Sequence, residues 1–60
     1  MSRSLSRALA ILELYNGRQG EWGISEISRE LDLPKSTVHG LVITLASNHY
    51  LEKAESGKYR

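Results

Sequence analysis

The segment Leu33–Pro34–Lys35–Ser36–Thr37–Val38 leaves this chain few options. Pro34 has no N–H and a fixed φ, so a helix arriving from upstream stops before it and a new one starts there. Downstream, Val38, Leu41, Val42 and Leu45 repeat at i, i+3, i+4, i+7 and form one apolar stripe. The spacing predicts a helix over about 35–48, with Leu33 plugging the core just ahead of it. The opposite side of that helix carries Ser36, His39, Gly40, Ile43 and Ser47, flanked by Lys35 and Thr44, and no carboxylate. Short donors and acceptors, a cation and no anion are what a helix needs in order to lie in the DNA major groove.

The chain has 60 residues, one small domain near the lower limit of what a single core can hold unaided. Without cysteine it can form neither a disulfide nor a thiolate zinc site. No apolar run approaches the roughly 20 residues of a membrane span. Met1–Ser2–Arg3–Ser4 leads into a patterned helix with Arg7 and Glu13, not into a signal peptide, so a cytoplasmic protein is expected. The net charge of +1 says little about partners, but its distribution says more. Up to Pro34 there are four basic residues (Arg3, Arg7, Arg18, Arg29) and five acidic (Glu13, Glu21, Glu26, Glu30, Asp32). From Lys35 onward there are four basic (Lys35, Lys53, Lys58, Arg60) and two acidic (Glu52, Glu55). The C-terminal half is the side suited to phosphate, weakly so for a monomer.

In chain order, Ser4 to Tyr15 reads as a first helix capped by Ser4 or Ser2, with Leu5, Ala8, Leu9 and Leu12 as its core stripe. Ala10, Ile11, Leu14 and Tyr15 widen the apolar surface, either because a small domain wraps the helix on two sides or because it forms a subunit interface. Asn16–Gly17 stops it, and Glu21–Trp22–Gly23–Ile24 is a short extended piece in which Trp22 is a partly buried packing residue. Ser25 to Leu31 reads as a second helix with Ser25 as N-cap and Glu26 at the positive end of the dipole. Asp32 makes the turn, giving a helix-turn-helix. Asn48 is expected in the left-handed C-cap of the third helix, with His49 at the negative end of its dipole. Tyr50–Lys53 and Lys58–Arg60 read as strands around a turn at Ala54–Gly57, a hairpin of the kind called a wing, with the piece around Trp22 as third strand.

These stretches resemble a known family. Ser4–Leu14, Ile24–Ser25–Glu26–Ile27, Leu33–Pro34–Lys35–Ser36–Thr37–Val38–His39, Tyr50–Leu51–Glu52 and Gly57–Lys58–Tyr59–Arg60 are similar to the N-terminal domain of IclR-type transcriptional regulators. The resemblance implies a mainly α fold with a small β wing: a winged helix-turn-helix of three helices and a short antiparallel sheet, covering residues 1–60. It implies a prokaryotic homodimer on a palindromic double-stranded operator, with no membrane or cofactor. A small-molecule effector would act only through a C-terminal domain absent from this chain, which stops inside the last wing strand and so reads as an excised N-terminal domain. The DNA-contacting positions expected are Ser25, Lys35, Ser36, Thr37, His39, Gly40, Ile43, Thr44, Lys53, Lys58 and Arg60; the dimer positions are Leu5, Ala10, Ile11 and Leu14. The chain departs from the family at Asp32, where glycine is common, at Gly40, where arginine is common, and at Ile43, where glutamine or another polar residue is common.

Each residue has a plainer reading. Lys35 either contacts phosphate or guanine or is solvated, and Thr37 either contacts DNA or caps the third helix. Gly40 either has lost an arginine contact or lets the backbone approach the bases. Ile43 meets a thymine methyl or is merely exposed. Lys53, Lys58 and Arg60 hold phosphate or guard a sheet edge. His39 and His49 lack the i, i+4 spacing of a helical metal pair, so no metal is expected. A protein-docking module would place acids or a broad apolar patch on the third helix, which has no acid. An enzyme would need a water-excluding cleft and a nucleophile–base–orienter set, and none is readable.

Overall fold

Ser2 starts the first helix: its Oγ accepts the Leu5 N–H at 3.4 Å, and α1 runs over Arg3–Glu13. The computed structural model describes residues 2–60; Met1, which opens the segment weighed above as a leader, lies outside the described residues. The last turn expected of this helix tightens into a 3-10 turn, Leu14–Asn16. Helix α2 spans Ile24–Leu31 and α3 spans Lys35–Ser47. The three helices meet in one core: Ile11 from α1, Ile27 from α2, and Val38 and Val42 from α3 are fully buried, and Leu51 and Tyr59 close it from the C-terminal side. Burying each such side chain stabilises by about 1.5–3 kcal/mol.

The core-facing side of α1 differs from expectation. Leu5 and Leu9 are 52% and 45% exposed, while Ile11 is at 0%. The inward stripe is Ile11, Leu12 and Tyr15, with Ala8 half-buried one turn before Ile11, together an i, i+3, i+4, i+7 set. Two overlapping apolar stripes exist in the sequence, and packing against α3 selects the second.

Gly23, not Ser25, is the N-cap of α2; the Glu26 carboxylate takes the Gly23 N–H at 2.8 Å, so the helix start is held from its third position. At the other end Asp32 is left-handed, with φ 54° and ψ 50°, as expected for the turn. The end of α3 is shifted by one residue from the reading above. Asn48 has φ −102°, and His49 is the left-handed residue at φ 68°. His49 N–H bonds Ala46 O at 3.1 Å and Tyr50 N–H bonds Leu45 O at 2.9 Å, the paired bonds of a Schellman stop.

That stop takes Tyr50 out of the expected strand. What remains pairs briefly: Glu52 and Arg60 exchange backbone bonds of 2.8 and 2.9 Å, and Ala54 N–H bonds Lys58 O at 2.8 Å. The turn at Ala54–Gly57 is closed by Gly57 N–H to Ala54 O at 3.0 Å, with Gly57 at φ +89°. Strand content among the described residues is confined to two isolated antiparallel bridges, Trp22 with Tyr59 and Lys53 with Tyr59.

His49 pays the steric cost of a Cβ in the left-handed region. His49→Gly is expected to raise unfolding free energy by about 1 kcal/mol, and His49→Val to lower it, in urea titrations. In the same assay Gly40→Ala is expected to stabilise by about 1 kcal/mol, because a Cβ at Gly40 meets nothing within 4 Å.

Candidate nucleic-acid interface

Helix α3 is held in place from the turn before it. The Ser28 carbonyl accepts N–H groups from both Asp32 and Leu33, the latter at 3.0 Å, and the Ser28 hydroxyl donates to the Leu33 carbonyl. Ser28 was not singled out in the sequence; the signal was a serine inside a short helix one turn before a turn residue. Beyond it Pro34 lies at φ −59° and ψ 143°, and α3 starts at Lys35.

No side chain caps α3, so the expectation that Thr37 does so is corrected. The extended Pro34 occupies the cap position, and Thr37 sits inside the first turn, already helical. The first hydrogen bond of the helix is Val38 N–H to Pro34 O at 3.1 Å, which leaves the N–H groups of Lys35, Ser36 and Thr37 without an acceptor among the described residues. Lys35 and Ser36 are exposed and Thr37 is half-buried.

The outer face of α3 then changes character along its length. His39, Gly40, Ile43, Thr44 and Ser47 are all exposed, Ile43 at 42%. The Thr44 hydroxyl donates to Gly40 O at 3.0 Å and the Ser47 hydroxyl to Ile43 O at 2.9 Å. Donors and a cation therefore cluster in the first turn and a half, while the middle of the helix presents a glycine, an isoleucine and a threonine whose proton is committed to the backbone.

The remaining expected positions lie elsewhere. Ser25 is half-buried in the first turn of α2. Lys58 reaches back to α2, its Nζ 3.1 Å from Glu26 Oε1, and Arg60 Nε is 2.8 Å from Glu52 Oε1. Lys53 is exposed and has no ion pair among the described residues. The Gly23 N–H first, and Lys58 second, hold the Glu26 carboxyl below the usual carboxylate range. Two of the three C-terminal cations are thus partnered inside the chain, which dilutes their field.

The expected dimer positions separate as well. Ile11 is wholly enclosed in the chain's own core, because α1 turns that stripe toward α3, so its side chain offers no surface. Leu14 is half-buried against the same core, Ala10 is half-buried, and Leu5 is exposed. Leu9, assigned above to the core, joins Leu5 on the outside.

The IclR helix-turn-helix domain model matches residues 4–55. The chain is 44% identical over 59 residues to the HTH-type transcriptional regulator XynR of Escherichia coli, covering 97% of this chain and 23% of that protein. It is 39% identical to the glycerol operon regulatory protein of Streptomyces coelicolor and 37% identical to that of Streptomyces griseus, with the same coverage. It therefore spans about a quarter of the length of these curated relatives. No solved structure matches it significantly.

The C-terminal segment is tied to the helices by Tyr15, whose hydroxyl donates to Tyr59 O at 3.0 Å. Burial, and then the Glu26 carboxylate, push the Tyr15 phenol from 10.0 up to about 12. Folding therefore favours the neutral phenol. The associated stability is complete below about pH 10 and is lost as pH rises toward 12. Tyrosinate absorbance is expected to show a late step near pH 12 that Tyr15→Phe removes; a titration unchanged by that substitution would refute it.

Proposed function

The chain belongs to the IclR family of helix-turn-helix DNA-binding domains, and from that membership we propose that it reads a specific operator by laying α3 in the major groove. The observation that carries this reading is the outer face of α3. It is exposed from Lys35 to Ser47 and free of acid, and it opens on backbone N–H groups that, like the Lys35 ammonium, have no partner among the described residues. Such a start suits phosphate, and the face behind it suits base edges. Ser25, at the first turn of α2, supports the adjacent phosphate.

In this reading the Ala54–Gly57 turn acts as the wing, with Lys53 toward the backbone of the duplex. Lys58 and Arg60 join it by exchanging Glu26 and Glu52 for phosphate. We propose further that two copies pair through Leu5 and Leu9, exposed one turn apart on α1, and read a palindrome with two-fold symmetry. The relatives' regulatory role extends here as a proposal: a prokaryotic, cytoplasmic regulator whose effector binds a C-terminal domain outside this chain. The domain itself catalyses nothing in this reading.

Mobility shifts on genomic fragments across a salt series test the function. Affinity is expected to fall steeply with salt, and Lys35→Ala to reduce the slope by about one unit if it holds a phosphate. If Lys35 reads guanine, the loss concentrates at one base position and is about 1–3 kcal/mol. A slope and affinity unchanged by Lys35→Ala would make that lysine a bystander, and no shift on any fragment would overturn the function. Sedimentation tests assembly: a dimer at high micromolar concentration that Leu9→Glu dissociates is expected, and a wild-type monomer that still binds DNA would sink the pairing.

A further inference from the structure

Three neighbouring positions in the middle of α3, Gly40, Ile43 and Thr44, are exposed together, and among them no hydrogen-bond donor is available to a base. Gly40 has no side chain and open space where a Cβ would stand. Ile43 is a 42% exposed aliphatic group. Thr44 has given its proton to Gly40 O at 3.0 Å, and Ser47, one turn on, has given its own to Ile43 O at 2.9 Å. A groove-facing surface with no free donor cannot read the N7 and O6 acceptors of guanine or the N7 of adenine; the Thr44 and Ser47 oxygens still accept from adenine N6 or cytosine N4, whereas Ile43 offers neither donor nor acceptor. One group in the major groove is apolar, the C5-methyl of thymine.

We propose, resting on the operator-reading function above, that Ile43 is a specificity-determining residue that selects thymine through its methyl group. Gly40 contributes by absence: with no side chain one turn earlier on the same ridge, nothing holds the helix off the groove wall, and Ile43 reaches the base edge. Lys35, Ser36 and His39 fix the register from the preceding turn. The operator half-site then contains one thymine recognised without any hydrogen bond from Ile43, a position where cytosine, which lacks the methyl, is bound more weakly.

The test uses the chain and a pool of randomised double-stranded DNA. Selected duplexes are resynthesised with deoxyuridine replacing each thymine in turn, which removes the methyl and leaves every hydrogen-bonding atom. One thymine per half-site is expected at which uracil weakens binding about four-fold, the value of one buried methyl. Ile43→Ala, at an exposed site, is expected to keep the fold by melting and to erase that sensitivity at that position alone. Specific binding that is indifferent to every uracil substitution overturns the inference and leaves the DNA-binding function standing. So does a uracil effect that persists unchanged in Ile43→Ala. Equal binding to all duplexes overturns the inference together with sequence specificity, and binding to none overturns the function itself.

Discussion

Three hydrogen bonds converge between α2 and α3, all on Ser28: two N–H groups, from Asp32 and Leu33, enter its carbonyl, and its hydroxyl returns to the Leu33 carbonyl. They fix the left-handed Asp32 and bring Leu33 against the core before Pro34 starts the next helix. The direction of α3 follows, and with it which residues face out. Val38 and Val42 then seat against Ile27 and Ile11, and the face from Ser36 to Ser47 has nowhere to go but solvent. A binding face thus arises as the remainder of a packing solution: the core claims one stripe, and the turn decides which.

The electrostatics of the surface are local. One charged cluster joins Glu26, Lys58 and the Gly23 N–H, with Gln19 at 3.5 Å from the second Glu26 oxygen. It fastens the C-terminal segment to the start of α2 and spends a cation in doing so. Lys35, with no carboxylate on its helix, is differently placed. With nearly balanced charge overall, the position of each cation matters more than the sum.

The helix-turn-helix was legible because Pro34, Asp32 and the Val38–Leu45 stripe each constrain the backbone in the same direction. The orientation of α1 was not, because its apolar residues fill two overlapping stripes and only tertiary contact distinguishes them. The caps were mis-set by a residue or two for a related reason: serine and asparagine are good caps, but Glu26 reached the Gly23 N–H first and His49 took the left-handed position beyond Asn48. The candidate site was legible as a list of residue types on one face. It was not legible which hydroxyls were already engaged, since Thr44 and Ser47 look like donors until their i−4 carbonyls are seen to hold them.

Tyr59 has a meaning in time as well as in space. Its carbonyl accepts both the Trp22 N–H and the Tyr15 hydroxyl, and its own N–H returns to Trp22 O at 2.9 Å. These links span 44 residues to Tyr15, whereas the Ser28 knot closes within 5. Long loops cost more entropy to close and close later. The helices are therefore expected to assemble first and the C-terminal segment to dock last. The reverse event, its release, would be an opening below the global one, to be seen as faster amide exchange at Tyr59 than at Val42. Equal exchange at the two would mean that the domain opens only as a whole.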